Sequence, residues 1–173
     1  MNNWPDYYKY RVNSTYQNYF EGKYKVMLDF VGEFETIREE GIGIGSISKY
    51  LLKKGVKTYG FDICPQMVSL CKENNPSLNV YVDDIFKPQK EKVDMVVTHG
   101  VLEHFNDEQI LHIIDRYKSE NQSSIHYVPI DGYKVPSFGD ERLLSVNYWV
   151  KTFNPTWFIN IKDEDLYLIF ENE

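Results

Sequence analysis

The sequence has few cysteines and histidines, which limits the kinds of metal site and disulfide that it can form. Its two cysteines and four histidines do not have the close spacings of a zinc site, so no metal is predicted. Cys64 and Cys71 would lie two turns apart on one helix face, which is too far for an unstrained disulfide. Both are therefore expected to be core thiols.

Positive charge and long apolar runs are also scarce. Nineteen basic residues face 26 acidic ones, and the formal net charge of −7 opposes binding to a phosphate backbone, so no nucleic-acid partner is expected. No apolar run approaches the roughly 20 residues of a membrane helix, and the N-terminus lacks the pattern of a secretory signal. The sequence predicts a soluble cytoplasmic protein with no membrane partner, and it leaves the oligomeric state open.

Apolar and aromatic residues are abundant enough for one domain with an ordinary core. Of the 173 residues, 42% are hydrophobic and 16% are aromatic. Residues 1–33 are predicted to form an N-terminal helical cap, and residues 34–173 the main domain. The cap holds a cluster of aromatic side chains that either pack on the sheet as core or form a lid over a substrate pocket: Trp4, Tyr7, Tyr8, Tyr10, Tyr16, Tyr19, Phe20 and Tyr24.

The apolar pattern after residue 33 alternates between strand and helix periods. It predicts five successive strands that alternate with helices, with a solvated loop over 87–92 in place of a helix before the fourth strand. A later helix over 140–153 and a closing hairpin around the charged segment 162–165 follow. The five strands are expected near residues 34–40, 56–61, 78–82, 93–98 and 123–129. The predicted fold is α/β, a Rossmann-like doubly wound sheet of seven strands in a single domain, with the last strand antiparallel.

Three glycines at alternate positions follow the first strand: Gly41, Gly43 and Gly45. Glycine suits a backbone with positive φ or one that lies close to a ligand, and the free N–H groups of the helix that begins at Ser46 can receive a polar or anionic group. The sequence predicts a ligand-binding turn, with a purely structural turn as the alternative. A dinucleotide site would require its third small residue at Ser46.

Acidic residues follow the next two strands. Asp62 lies 21 positions after Gly41, close to where the dinucleotide fold places an acid on the ribose hydroxyls. Asp83 and Asp84 follow the third strand, where a surface acid pair without a ligand is the alternative. Because ligands of open α/β sheets bind outside the carboxyl ends of the strands, these acids and the glycines are expected at one edge of the sheet.

Three strings in this region resemble motifs of class I S-adenosylmethionine-dependent methyltransferases. Glu39-x-Gly-x-Gly-x-Gly45 resembles the first motif, and Asp62 to Met67 resembles the pattern Asp-x-Ser-Pro-x-Met. Gly100-Val-Leu-Glu-His-Phe105 closely resembles the string after the fourth strand in the small-molecule group of these enzymes. The resemblance is strong over roughly residues 35–129 and weak elsewhere, and the role of residues 130–142 is not assigned.

The resemblance implies S-adenosyl-L-methionine as the cofactor and S-adenosyl-L-homocysteine as the product. Glu39 would hold the methionine amino group, Asp62 the ribose and Asp84 the adenine amino group. Met67 would pack near the adenine, although its apolar helix stripe equally predicts a core residue. The implied cofactor-binding residues are Glu39, Gly41, Gly43, Gly45, Asp62, Ile63, Met67, Asp84, Ile85 and His99.

The expected activity is methyl transfer to a small molecule. His99 and His104 are the candidate bases, since a reference pKa of about 6.5 suits proton transfer at neutral pH. His104 also fits a structural position, while His112 and His126 look like helix-face and strand residues. DNA base methylation is not expected, because the Asn/Asp-Pro-Pro-aromatic tetrad of such enzymes is replaced by residues 98–101. The alternatives are a non-catalytic cofactor-binding partner or sensor, and a nicotinamide-dependent dehydrogenase.

Overall fold

The computed structural model describes residues 3–134, 140–162 and 164–172. Its helices are α1 (Trp4–Tyr8), α2 (Ser14–Lys23), α3 (Lys25–Val31), α4 (Ser46–Lys53), α5 (Pro65–Asn74), α6 (Asp107–Ser119) and α7 (Val146–Phe153), with a 3₁₀ turn at Leu102–His104. Its strands are β1 (Thr36–Glu40), β2 (Lys57–Asp62), β3 (Asn79–Val82), β4 (Met95–His99), β5 (Ser124–Pro129), β6 (Trp157–Ile161) and β7 (Asp165–Phe170).

The seven strands form one sheet in the order β3-β2-β1-β4-β5-β7-β6. Strands β1, β2 and β3 pair in parallel, as do β4 and β5, whereas β7 runs antiparallel to both β5 and β6. The predicted α/β sheet of seven strands with an antiparallel last strand is confirmed. Contacts within the chain group it into two compact units, residues 1–87 with 93–95 and residues 88–92 with 96–173.

The first unit is built on β1, β2 and β3. Four of the five residues of β1 are buried, as expected of a parallel strand that is covered on both faces. Helix α4 begins directly after Gly45, whose φ is 76°, and it ends before Gly55, whose φ is 88°. Both glycines thus stand at backbone positions that other residues rarely adopt. Met67 and Cys71 face the core from α5.

Three short helices, α1 to α3, account for the aromatic N-terminal segment. Helix α1 packs on α5, while α2 and α3 pack on α4. The buried side chain of Gln17 donates from Nε2 to the carbonyl of Ser46 (3.0 Å) and to Oε1 of Glu21 (2.8 Å). This amide fixes α2 to the first residue of α4, directly after the glycine turn, which we define as residues 41–45.

The second unit contains the closing hairpin. Strands β5 and β7 are buried along their whole length, whereas β6 lies at the sheet edge with most of its residues exposed. The hairpin over residues 157–170 was predicted, although Asp163 in its turn lies outside the described residues. Helix α6 begins with a capping box, in which Asn106 and Gln109 each accept a backbone N–H from the other.

The predicted helix over 140–153 is wrong at its N-terminal half, because α7 begins at Val146. Ser145 caps it by accepting from the N–H of Tyr148 (3.2 Å). The preceding backbone makes other bonds: Leu144 forms a parallel bridge with Ile130, and the N–H of Arg142 donates to the carbonyl of Glu103 (2.9 Å). The backbone groups in these tertiary bonds are therefore not available for the hydrogen bonds of a helix. Residues 135–139 lie outside the described part of the chain.

Both cysteines are free thiols, as the spacing predicts. Cys71 is buried in the core as expected, whereas the prediction of a core thiol is wrong for Cys64, which is only partly buried at the N-cap of α5. Within the residues that the structure describes, none of the helices combines the length and the apolar character that crossing a membrane requires.

Candidate cofactor-binding site

The glycine turn has the backbone that its sequence predicts. Gly41, Gly43 and Gly45 have φ values of 73°, 55° and 76°, all in the left-handed region. A Cβ on Gly45 would lie 2.8 Å from Sγ of Cys71, so packing alone requires glycine there. A Cβ on Gly43 would meet no atom of the described residues within 4 Å. Gly43 therefore faces open space, as a backbone that lies under a ligand would.

The glycine turn is hydrogen-bonded to strand β2 and packs closely on Gly60 of that strand, a residue that sequence reasoning missed. The N–H groups of Gly41 and Ile42 both donate to the carbonyl of Phe61 (2.9 Å each). The buried side chain of Ile42 lies over Gly60, where a Cβ would be 2.3 Å from Cδ1 of Ile42. The signal was present in the sequence, since a glycine inside a strand often marks a close approach of another group.

Asp62 connects the end of β2 to the glycine turn. Its Oδ2 accepts from the N–H of Gly43 (3.1 Å), and its Oδ1 accepts from the N–H of Cys64 (2.9 Å). Burial raises the pKa of this carboxyl, and the backbone hydrogen bonds act in the opposite direction. The half-buried carboxylate thus stands beside the open face of Gly43.

Glu39, the penultimate residue of β1, contacts the start of α4. Its Oε2 accepts from both the N–H (2.9 Å) and the Oγ (2.6 Å) of Ser48, the third residue of the helix. Burial, as the largest cause, raises the pKa of Glu39 to about 7. The helix N-terminus thus already receives a carboxyl group from the protein itself, at the place where a dinucleotide site would receive a phosphate.

The residues after β3 reach the same edge of the sheet as Asp62. The N–H of Asp83 donates to the carbonyl of Asp62 (3.2 Å), and the Asp84 carboxylate accepts from the N–H of Phe86 (3.0 Å). Ile63 is 69% exposed at this edge, and Ile85 is buried. The structure therefore brings the predicted residues of the first unit together, while their contacts with a cofactor stay predictions.

Met67 differs from its neighbours at this edge. Its side chain is 1% exposed and packs in the core, as the apolar stripe of α5 predicts. A contact between Met67 and an adenine ring stays a prediction.

One aromatic residue of the N-terminal segment, Tyr8, lies near Asp62. The rings of Tyr7 and Tyr8 are 5.0 Å apart, and that of Tyr8 is 6.5 Å from Tyr16. Burial, followed by the neighbouring Tyr16 and Tyr7, raises the pKa of Tyr8 well above its ordinary value, and the charge of Asp62 adds to this effect. Tyr8 is thus close enough to Asp62 to interact with its charge.

Strand β1 also carries a buried ion pair that the sequence reading did not assign. Arg38 and Glu40 alternate along the strand and so share one face, with 2.9 Å between Nε and Oε1, and both side chains are fully buried. The pair directly precedes the glycine turn. Two opposite charges at alternate positions of a central strand were the available signal.

The histidines that the sequence offered as bases belong to the second unit. His99 ends β4, and its ring stacks on Tyr127 with 4.2 Å between centroids. His104 lies in the 3₁₀ turn, with its Nδ1 3.3 Å from Oδ1 of Asp140. His126 is buried between Thr98 and Ser124, and burial lowers its pKa to about 3, so it is a neutral structural residue. The catalytic roles of His99 and His104 stay predictions.

Comparison with known proteins gives a family and a fold. A family model described as a methyltransferase domain matches residues 39–141. Among curated protein sequences, none is significantly similar to this chain.

Three similar solved structures establish the fold. The PH0226 protein of Pyrococcus horikoshii OT3 superposes with a TM-score of 0.76 at 12% identity, over 94% of this chain and 93% of the other. The magnesium protoporphyrin IX methyltransferase of Synechocystis PCC 6803, with bound S-adenosylhomocysteine, gives 0.62 at 16% identity, over 86% and 84%. NcsB1, an O-methyltransferase from neocarzinostatin biosynthesis in complex with S-adenosylmethionine and 2-hydroxy-5-methyl naphthoic acid, gives 0.66 at 12%, over 81% and 50%. This chain thus spans half the length of NcsB1.

Proposed function

Because the chain belongs to the class I S-adenosylmethionine-dependent methyltransferase family, whose cofactor is S-adenosylmethionine, we propose that it transfers a methyl group from this cofactor to a small-molecule acceptor. One observation carries the proposal: the glycine turn is open to a ligand at Gly43 and is bonded there to the carboxylate of Asp62. The glycines of the turn provide backbone that carries no side chain, and Asp62 provides a charged hydrogen-bond acceptor beside Gly43.

The charge of this region fits a cationic cofactor. Glu39 and Asp62 are both carboxyl groups whose pKa is raised by burial, so a positive ligand would stabilise their ionised forms. S-adenosylmethionine carries a sulfonium and an ammonium group. A dinucleotide would instead place a diphosphate at the N-terminus of α4, where the N–H of Ser48 already donates to the carboxyl group of Glu39. The residues present therefore fit S-adenosylmethionine better than a nicotinamide cofactor.

Each residue at this edge then has a proposed role. Asp62 accepts from the ribose hydroxyls, and Asp84 accepts from the adenine amino group beside Ile63 and Ile85. Glu39, held by Ser48, fixes the start of α4 and offers its negative charge to the methionine amino group. The glycine turn lets backbone pass beneath the cofactor.

Residues 1–33 act as a cap over this site. Two contacts support that role, the bond from Gln17 to the carbonyl of Ser46 and the interaction of Tyr8 with the charge of Asp62. The cap would exclude water from the bound cofactor and present aromatic faces to an acceptor.

When bound, S-adenosylmethionine supplies an electrophilic methyl group on a positive sulfur. The chain has to align an attacking atom with that methyl group and to keep water out. Where the acceptor starts protonated, His99 is our first candidate to take its proton, since stacking on Tyr127 fixes the orientation of the ring. His104 is the second candidate.

A small-molecule acceptor is supported by the similar enzymes. NcsB1 is an O-methyltransferase in complex with a naphthoic acid, and the Synechocystis enzyme is named for magnesium protoporphyrin IX. This chain carries a net charge of −7, which is unfavourable for a polyanionic acceptor such as nucleic acid.

Calorimetric titration with S-adenosylmethionine, S-adenosylhomocysteine and NAD⁺ tests the cofactor. We expect binding of the first two at micromolar concentration and no binding of NAD⁺, and binding of NAD⁺ alone would overturn the proposal. A panel of small phenols, carboxylic acids, amines and thiols, with release of S-adenosylhomocysteine as the readout, tests the transfer. Cofactor binding without turnover on any acceptor would favour a non-catalytic partner or sensor instead.

A further inference from the structure

Strand β6 lacks the residues that usually prevent an edge strand from pairing with another chain. It is the last strand of the sheet, and β7 is its neighbour on the other side. Edge strands commonly carry charged residues or proline, which keep a further strand from adding to them. β6 contains neither, and none of the residues between Lys151 and Lys162 is charged. By its composition, β6 therefore suits pairing with a further strand.

Both faces of β6 expose large apolar side chains. Trp157 is 61% exposed, Phe158 is 49% exposed and Ile159 is 38% exposed. Because successive side chains of a strand point to opposite faces, Trp157 and Ile159 share one face and Phe158 lies on the other. A contiguous exposed apolar surface of this kind marks an interaction site more often than single exposed apolar residues do.

The edge strand at the other end of the sheet differs from β6. Strand β3 has only four residues, and Asp83 and Asp84 follow it directly. Among its residues, Val82 is the one large apolar side chain that is exposed. A short strand that ends in two acids is poorly suited to pairing with an acidic chain. The features that favour pairing are thus specific to β6.

The sequence of β6 is complementary to a second copy of itself. Antiparallel pairing about a two-fold axis at Ile159 would place this residue opposite its own copy. Trp157 would then lie opposite Ile161, and Phe158 opposite Asn160. All five residues of the strand would be paired, and one face would carry only apolar pairs. Pairs of an aromatic with a β-branched side chain across two strands are stabilising.

The charges at the ends of β6 fit the same register. Lys162 follows the strand and would lie opposite Thr156 of the second copy. Glu171 lies beside Thr156, because its N–H donates to Oγ1 of Thr156 (3.1 Å) and its Oε2 accepts from Nε1 of Trp157 (3.1 Å). Lys162 of each copy would therefore come close to Glu171 of the other. Opposite charges at both ends favour a second copy in this register over a shifted one.

We propose that β6 pairs with β6 of a second copy, so that the chain forms a reversible two-fold dimer. A fully exposed aromatic side chain presents about 150–250 Å², so Trp157 and Phe158 of two copies bury roughly 450 Å² together. With the backbone edges and the flanking residues, the interface reaches about 1,000 Å², at the low end for a specific interface. Such a size corresponds to a dissociation constant in the micromolar range. The proposal does not depend on methyl transfer.

The test is sedimentation velocity of the full chain between about 1 and about 200 µM, where a micromolar dimer changes from mostly dissociated to mostly associated. Ile159→Lys places two like charges opposite each other at the axis and should weaken association at least about tenfold. Leu111→Lys is the matched control. It adds the same charge at an exposed apolar residue of the same unit, on α6, and should leave the association unchanged.

Exchange of the charges at the strand ends tests the register. Lys162→Glu and Glu171→Lys should each weaken the dimer about threefold, because each brings like charges together at both ends. The double variant Lys162→Glu/Glu171→Lys restores opposite charges and should recover the association of the wild type. A double variant that associates no better than either single variant would exclude this pairing.

Two further results would overturn the proposal: a monomer over the whole concentration range, or equal association of the wild type and Ile159→Lys. If Ile159→Lys does not fold, as judged by circular dichroism, Phe158→Lys replaces it. The Phe158 side chain is half exposed, so a lysine at this position stays in contact with water. Equal association of Phe158→Lys and the wild type would place the dimer on another surface and would likewise overturn the proposal.

Discussion

Two buried glutamates lie near the ends of central strands of this protein, and they differ in what surrounds them. Glu39 is the penultimate residue of β1 and Glu103 follows β4, and burial is the largest cause that raises the pKa of each, to about 7 and about 8. The Oε2 of Glu39 accepts two hydrogen bonds from Ser48. The Oε2 of Glu103 has no partner within the described ranges.

This difference separates a buried carboxyl group that receives hydrogen bonds from the fold from one whose Oε2 receives none among the described residues. The donors of Ser48 make Glu39 part of the structure that shapes the glycine turn. Glu103 has two acids as electrostatic neighbours instead, and their charges add to the effect of burial in favouring its protonated form. The following predictions test the glycine turn and the two glutamates, beginning with the largest effect.

Gly43→Val should reduce the affinity for S-adenosylmethionine about 1000-fold, because it places a branched side chain in the open space that the ligand would occupy. Gly55→Val is the matched control. Gly55 also has positive φ and no described atom within 4 Å of a built Cβ, but it lies beyond the far end of α4. Calorimetry on both variants is the measurement, and an equal loss of affinity in both would attribute the effect to backbone strain.

Asp62→Ala should reduce the same affinity about 100-fold, with the fold retained. The change removes the proposed ribose acceptor and also the bond to the N–H of Gly43. Asp83→Ala, which removes a neighbouring half-buried acid, serves as the comparison and should have a smaller effect. An affinity of Asp62→Ala equal to that of the wild type would exclude the proposed site.

Stability should fall as the pH rises from 5 to 7. The unfolded Glu39 loses its proton near the ordinary pKa of 4.5, whereas the folded one keeps it up to about 7, so the unfolded state is favoured increasingly over this range. The decrease from Glu39 is up to about 3 kcal/mol. Urea unfolding at several pH values should show a flatter profile for Glu39→Gln, and Glu103→Gln should flatten the profile up to pH 8.

An unchanged slope in Glu39→Gln would mean that Ser48 stabilises the ionised form enough to cancel the effect of burial.

Ser48→Ala should destabilise the protein by about 1 kcal/mol, because it removes the hydroxyl donor to Glu39 and leaves the N–H donor in place. Ser46→Ala is the control in the same helical turn: its Oγ is buried without a partner among the described residues, so its loss should cost nothing or stabilise slightly. Urea unfolding of both variants decides. A larger cost for Ser46→Ala would reverse the assignment.

The sequence predicted the sheet because its signals are local. Apolar runs placed the strands, the glycines marked the turn after β1, and the hairpin over 157–170 required only two apolar runs around a charged turn. The acids at the ends of β2 and β3 were found because parallel strands bring their carboxyl ends to one edge. These inferences need only the period of the pattern and the topology of the sheet.

The remaining features depend on contacts between distant parts of the chain. The bond from Arg142 to Glu103, which keeps the backbone before α7 out of a helix, joins residues 39 positions apart. The bonds from Ser48 to Glu39 and the position of Ile42 over Gly60 depend equally on tertiary packing. Spacing along the chain does not reveal such contacts, whether the two partners are 39 positions apart or, as for Glu39 and Ser48, only nine.

The position of Ile42 over Gly60 has a kinetic consequence. Because strand β2 already fixes the backbone of the glycine turn, an arriving ligand does not have to order that turn and loses little conformational entropy there on binding. The association rate constant should then approach that of a rigid receptor. Differences in affinity among cofactor analogues should lie mainly in their dissociation rate constants.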